Sequence, residues 1–495
     1  MLKRTLPFLL LILATAAFAR DIDPRVVDRI VEDTMKAWKV PGAAVAIVQD
    51  DRVVYAKGFG VKELGKPDAV TPDTLFAIAS NSKAFTTAAM AILVDEKKMS
   101  WDDPVRKYVD YFHLDDPCAD SLVTLRDIVS HRTGLSRHDE LWDNTNWSRE
   151  QVIRAIGHVK LSKPIRTAYQ YNNIMFMTAG EAVAAAAKMP WSDFVRTRIF
   201  DPLGMTHTRT SMSDFYASDH AIGHNYDRKK DVMVVQPPDD DTALGPAGAI
   251  KSCASDMGQW IRFQLDDGTV DGKRIVSADA LGETKKPQMI IPMDADSKQN
   301  NPGTNIMTYG MGWGVQDYLG QLLVAHAGAL NRFRSNVALL PDQHAGVAVM
   351  INSSRGNAAL AVRRAIVDLI LGTPQRDWSA FYLSRENEEI AKAEKKKAET
   401  EAALPKDTKP SHDLSAYAGV YQNAGYGPAT VSFENGGLVL RWQKLVLPLT
   451  HWTYDTFSAV SEPDDVDEKV QFQIAQDGKV NSLTIFGEEF AKKAD

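Results

Sequence analysis

Val27, Ile30, Val31, Met35 and Trp38 recur three or four positions apart, the spacing of one helix face. They predict a helix over residues 24–38, ended by Pro41-Gly42. The apolar run 43–48, the polar turn 49–52 and a second run over 53–58 read as a β-hairpin. A loop rich in Pro, Asp and Thr over 66–74 leads to an apolar helix from Ser80 to about residue 98. Residues 100–270 are mostly helical in pattern, with a capped start at Thr124, an Ala-rich stretch over 175–188 and a further helix over 255–265. Strand-length apolar runs return at 310–315, 321–325, 335–340 and 346–351, before an apolar-faced helix over 358–371. Strands thus open and close this region while helices fill its middle. The pattern predicts an α/β (α+β) fold: one antiparallel sheet built from both ends, with an inserted helical subdomain and the Ser80 helix at their junction.

The pattern changes after residue 375. Residues 385–403 are rich in Glu, Lys and Ala with almost no apolar stripe, which predicts a charged helical linker over 376–410. Short strand-like pieces at 417–421, 429–433, 438–442, 470–474 and 482–486 predict a small all-β barrel or sandwich over 411–495. A chain of 495 residues is too long for one typical core, in keeping with this division. At the other end, Lys3 and Arg4 precede the apolar run 6–18 and the small-x-small site Ala17-Phe18-Ala19. That is the layout of a signal peptide over 1–19, with the α/β region over 20–375 exported to the periplasm or medium. No later stretch is long and apolar enough to span a bilayer.

Composition narrows the partners. A net charge of −7 argues against non-specific nucleic-acid binding, which needs a basic surface. The only cysteines are Cys118 and Cys253, which are free to pair or not in an oxidising compartment. No His-Glu-x-x-His occurs, and His220 and His224 read as surface histidines, so no metal is expected.

The chemistry centres on Ser80-Asn-Ser-Lys83. Residues three apart on a helix share a face, so the Ser80 hydroxyl and Lys83 amine point the same way. A serine hydroxyl becomes a nucleophile when a neighbouring base takes its proton, and a lysine serves if its pKa is lowered. Tyr171-Asn172-Asn173 follows in the helical middle, and His326-Ala327-Gly328 ends a late strand. Tyr421-Gln422-Asn423 repeats the first pattern inside the C-terminal domain, and His344-Ala345-Gly346 repeats the second after a Pro-Asp turn. Order and context select 171–173 and 326–328.

Ser-x-x-Lys, Tyr-x-Asn and His-x-Gly in that order resemble the three motifs of the serine β-lactamase and penicillin-binding protein superfamily, in its class C β-lactamase-like branch. The segments 124–135, 200–205, 246–260 and 309–315 are similar to recurring parts of that branch, and the likeness covers roughly residues 25–372. Residues 417–442 and 451–457 resemble the lipocalin-like β domain carried by some members. The resemblance implies a cofactor-free serine hydrolase acting on a small peptide, ester or β-lactam-type substrate. Ser80 would form an acyl-enzyme, Lys83 or Tyr171 would serve as base, and Asn173 would bind Lys83 and substrate. The backbone N–H groups of Ser80 and Ala329 would form the oxyanion hole, and Gly328 would leave room for substrate against the strand. His326 stands where class C β-lactamases carry Lys. A mostly neutral side chain there favours peptide, amide or ester substrates, or a carboxylate held elsewhere, with Arg332 as one candidate. The alternatives are a β-lactamase proper and a non-hydrolytic penicillin- or peptidoglycan-binding relative.

Overall fold

The computed structural model describes residues 22–236, 242–330, 332–461 and 466–493. The stretch read as a signal peptide lies outside them. The first helix, α1 (Pro24–Trp38), is capped by Asp23 and carries Pro24 in its first turn. It leads into the hairpin β1 (Gly42–Gln49) and β2 (Arg52–Gly60). The helix predicted from Ser80 begins two residues later, as α2 (Ser82–Asp95), and α3 (Asn173–Ala187) and α4 (Ala254–Leu265) follow in the helical middle. Six late strands complete the sheet: β3 (Met289–Ile291), β4 (Met307–Tyr309), β5 (Gly314–Tyr318), β6 (Gln321–Leu330), β7 (Phe333–Leu340) and β8 (Ala345–Ile351). Their order is β2-β1-β8-β7-β6-β5-β4-β3, antiparallel throughout. The sheet therefore joins the two ends of the region, as the pattern predicts.

Strand periodicity explains why β1 is buried along its whole length. Ala44, Ala46 and Val48 enter one core with α2 and α4, and Ala43, Val45 and Ile47 enter a second core with α1 and α5 (Gly356–Leu371). A strand covered on both faces reads as a continuous apolar run. The helix α2 is buried on every side, so its sequence shows little amphipathic contrast.

Two local readings change. Residues 310–315 are not one strand, because the chain turns between β4 and β5 at Gly312 (φ 78°). A Cβ there would stand 2.9 Å from the Lys83 carbonyl oxygen, so glycine lets this turn press against the start of α2. His224 is buried, not a surface residue. Its Nε2 accepts from the Leu64 N–H at 3.0 Å and its Nδ1 lies 2.9 Å from the Asn352 carbonyl oxygen. Cys118 is exposed, Cys253 is buried, and the two are not bonded.

The charged segment forms α6 (Trp378–Ala403), whose start is docked and whose end is solvated. Trp378 and Tyr382 are buried, and the Trp378 indole donates to Asp368 at 2.6 Å. Beyond it, eight strands between Gly419 and Lys492 close into an antiparallel barrel filled by Tyr417, Tyr421, Trp442, Phe457, Phe472 and Phe490. Leu445–Thr453, Thr456–Ser461 and Glu488–Lys492 are strands that the sequence reading passes over. The barrel touches the helical insert. The Tyr426 hydroxyl lies 2.8 Å from His138 Nδ1, and the Lys444 N–H donates to the Asn144 carbonyl at 3.2 Å. No helix of the described residues is long and apolar enough to cross a membrane.

Candidate active site

Ser80 sits in a 3₁₀ turn, Ala79–Asn81, just before α2. Ala79 holds a left-handed backbone (φ 49°), a costly conformation for a residue with a Cβ. The turn is tied down on both sides. Asn81 Nδ2 donates to Ser335 Oγ at 2.7 Å, and Ser335 Oγ donates to the Ile78 carbonyl at 2.7 Å. Gly328 belongs to the same clamp. A Cβ at 328 would stand 2.2 Å from the Ile78 carbonyl oxygen. The glycine is required first by the approach of β6 to the serine turn, not by the room a substrate needs.

One helical turn on, Lys83 Nζ donates to Ser80 Oγ at 3.0 Å, Asn173 Oδ1 at 2.7 Å and the Ala247 carbonyl at 2.8 Å. All three acceptors are neutral, and Lys83 is fully buried. Burial holds its pKa well below the usual lysine value; the Asp139 carboxylate opposes this and the Arg137 guanidinium adds to it. Asn173 is a relay, since its Nδ2 donates to Asp139 Oδ1 at 3.0 Å.

Tyr171 is placed by the segment 124–135. A capping box between Thr124 and Asp127 starts a short helix, and Arg132 and Arg166 ion-pair with buried Asp127. The His131 carbonyl accepts from the Gln170 N–H at 2.8 Å, and His131 Nδ1 accepts from the Asn172 N–H at 3.1 Å. Both neighbours of Tyr171 are thus fixed by one residue. Its ring lies 4.8 Å from Lys83 Nζ and 5.2 Å from the Arg137 guanidinium. Burial raises the Tyr171 pKa above the ordinary phenol value, and its contact with Ser80 and the charge of Arg137 only partly offset this. Tyr171 is therefore a neutral phenol at neutral pH.

His326 faces this group from β6. Its Nδ1 lies 2.7 Å from the Ala327 carbonyl, so that nitrogen carries the hydrogen, and Nε2 accepts from the Tyr309 hydroxyl at 3.0 Å. Burial, then the Lys83 charge, lowers its pKa. Asn173, His326, Gly328 and Ala329 are all brought to the site, on α3 and β6. Arg332 is in the turn after β6, outside the residues that line the cavity. The two motif copies lie elsewhere: Tyr421 donates to the Tyr417 carbonyl inside the barrel, and His344 occupies the β7–β8 turn. Residues that motif reading passes over are His131, Arg137, Asp139 and Tyr309. His131 and Tyr309 sit inside segments whose likeness to the family is visible. Arg137 and Asp139 carry no signal in the sequence, because their role depends on where the 136–139 loop folds.

A cavity of about 630 Å³ opens over Ser80, Tyr171 and His326. A half-buried serine beside a buried lysine of lowered pKa, facing an open strand edge, is an arrangement that can activate a serine nucleophile. The comparisons with known proteins agree. The beta-lactamase family profile matches residues 27–371, and the chain belongs to this family of serine hydrolases. A domain of unknown function, DUF3471, matches residues 403–494. Unguisins hydrolase ungD of Aspergillus violaceofuscus is 28% identical over 432 residues, covering 81% of this chain and 75% of its own. Protein flp of Staphylococcus aureus is 26% identical over 333 residues, covering 66% and 62%. Among solved structures, the octameric penicillin-binding protein homologue from Pyrococcus abyssi is similar with a TM-score of 0.64 at 21% identity, over 95% of this chain and 100% of that one. SurE is similar with a TM-score of 0.58 at 20% identity, over 95% and 98%.

Proposed function

We propose that this protein is a secreted serine hydrolase that forms an acyl-enzyme at Ser80 and cleaves an amide, peptide or ester bond of a small substrate. The observation that carries the reading is Lys83 Nζ at 3.0 Å from Ser80 Oγ, buried among neutral acceptors that leave its pKa lowered. In this reading neutral Lys83 takes the Ser80 proton as Oγ attacks the substrate carbonyl. Tyr171 stays protonated and hydrogen-bonds the reacting oxygen. The proton on Lys83 then passes to the leaving amine or alcohol, and water repeats the sequence in reverse to release the acid. The N–H groups of Ser80 and Ala329 receive the developing oxyanion, each such donor being worth about 3 kcal/mol. Asn173 steadies Lys83 and the substrate amide. His326, neutral and already bonded to Tyr309, offers no permanent cation for a β-lactam carboxylate. Peptide, amide and ester substrates are therefore favoured over β-lactams. The hydrolase activity named for the Aspergillus relative supports the reaction class. Export rests on the layout of residues 1–19.

The test is covalent labelling of the full-length protein with a fluorophosphonate, read by mass spectrometry, beside turnover of nitrocefin, p-nitrophenyl esters and D-alanyl amides. The expected result is one adduct on Ser80, absent in Ser80→Ala, with ester or amide turnover exceeding that of nitrocefin. Native protein without an adduct, or Ser80→Ala labelling equally, overturns the reading. Fast nitrocefin turnover would instead make it a β-lactamase proper.

A further inference from the structure

Pairing between β5 and β6 stops at Gly314 opposite Ala325. From His326 onward β6 is bonded only to β7, so residues 326–329 form an open strand edge. The cavity wraps around that edge. On the near side it is lined by Ser80, Tyr171, His326 and Arg137, the last paired with Asp139; on the far side by Arg334 and Asn336 of β7 and by Arg363 of α5.

Arg363 is the unusual member. Its side chain is 6% exposed, and its Nε has no hydrogen-bond partner among the described residues. The charged group that acts on it is another arginine, Arg364, with only the phenols of Tyr382 and Tyr318 working the other way. Arg364 and Arg355 each have one side-chain acceptor, although Arg364 Nε and Nη1 and Arg355 Nε are also unpartnered among the described residues. Arg364 donates to Asn301 Oδ1 at 2.9 Å and stacks 4.8 Å from the Tyr318 ring. Arg355 pairs with Glu386 at 2.7 Å. Burial lowers the Arg363 pKa to about 9 and that of neighbouring Arg334 to about 10. A buried guanidinium without a counter-charge is costly, and the cost is recovered when an anion fills the site. A guanidinium fork matches a carboxylate in shape, forming two parallel hydrogen bonds.

We propose that Arg363, assisted by Arg334, is a carboxylate-binding subsite on the far side of the open β6 edge, so that the substrate crosses residues 326–329 with its reacting carbonyl at Ser80 and an anionic group at Arg363. The strand edge lies between the two points. The carbonyl and the carboxylate therefore belong to different residues of an extended peptide-like substrate. The substrate assignment rests on the hydrolase reading of Ser80; the subsite itself does not.

The test is calorimetric binding to full-length Ser80→Ala protein, which needs no turnover. Two pairs of N-acetylated D-alanyl peptides serve as probes: a free C-terminus against its amide, and a glutamate side chain against glutamine. The pairs distinguish a terminal carboxylate from a side-chain one. The expected result is roughly tenfold or tighter binding of the acidic member in at least one pair. Arg363→Gln should bring that ratio near one, and Arg363→Lys should keep part of it. Equal binding of both members in each pair overturns the proposal with Arg363 intact, whatever the variants do. A preference that survives Arg363→Gln also overturns it. A carboxylate preference without Ser80 labelling leaves the subsite standing and removes the hydrolase reading.

Discussion

If Lys83 is the base, activity rises with pH as Lys83 loses its proton, and two neighbours should move that rise in opposite directions. Asp139 reaches Lys83 through Asn173, by hydrogen bonds of 3.0 Å and 2.7 Å. With the amide between them, the charges stand about 7 Å apart, and at an effective dielectric constant of about 20 their attraction is about 2 kcal/mol. Arg137, bonded to Asp139 and 59% exposed, trims that figure. The carboxylate raises the Lys83 pKa and the guanidinium lowers it. In Asp139→Asn, an amide oxygen still accepts from Asn173, so the geometry survives while the charge goes. The ascending limb of kcat/KM should then move to lower pH, with about tenfold more of the enzyme unprotonated at Lys83 at a pH on the limb. The plateau should fall, because the base is weaker. Arg137→Gln should move the limb to higher pH by a smaller amount, because an exposed charge is screened. The assay is a pH–rate profile of ester hydrolysis for the three proteins at fixed ionic strength. A limb that stays put, or that both variants move the same way, would refute the assignment of the base to Lys83.

Three further outcomes follow from the packing. His326→Gln should leave the ascending limb where it is, since the imidazole is already neutral across the working range; a lost limb in the pH–rate profile would give His326 an ionisation role. Gly328→Ala forces a methyl to within 2.2 Å of the Ile78 carbonyl, so thermal unfolding should show a loss of about 1–3 kcal/mol, and fluorophosphonate labelling of Ser80 should slow. An unchanged melting temperature would show that β6 does not clamp the serine turn. Tyr426→Phe removes the hydroxyl bonded to His138, at a cost of about 1–2 kcal/mol. Hydrogen exchange should quicken over residues 136–144 more than in the barrel, and equal protection there would mean that the barrel does not hold this loop.

What the sequence carries well is what local chemistry decides. The Ser80–Lys83 spacing implies a shared face, and the two groups meet at 3.0 Å. The apolar runs 43–48 and 346–351 stand out because doubly covered strands are apolar at every position, and they pair with each other across about 300 residues. The barrel strands are less legible. Leu445–Thr453 alternates buried and exposed residues, yet Pro448 stands inside it and breaks the usual strand signal. Pairing with Thr456–Ser461 begins only at Leu449, so on that side Pro448 stands outside the ladder that its missing N–H would break.

The site is legible only in its motif residues, and the reason is one of topology. Lys83 owes its lowered pKa first to burial, and the charges that adjust it, Asp139 and Arg137, lie more than fifty positions away on a loop held through Asn172 to Ser136 and through His138 to the barrel. His326 similarly explains less by its identity than by its surroundings. Neutral, and spent on Tyr309, it leaves the near side of the cavity without the cation that a lysine would supply. The unpaired positive charge lies instead on α5, behind the strand. A cation moved from one side of the open edge to the other changes which substrates fit. A compact molecule with its carboxylate beside the reacting carbonyl meets Arg137 on that side, a guanidinium already paired with Asp139. An extended chain that crosses the edge meets both Ser80 and Arg363. On the proposed reading, serine and lysine fix the reaction, and the position of Arg363 selects the substrate's length.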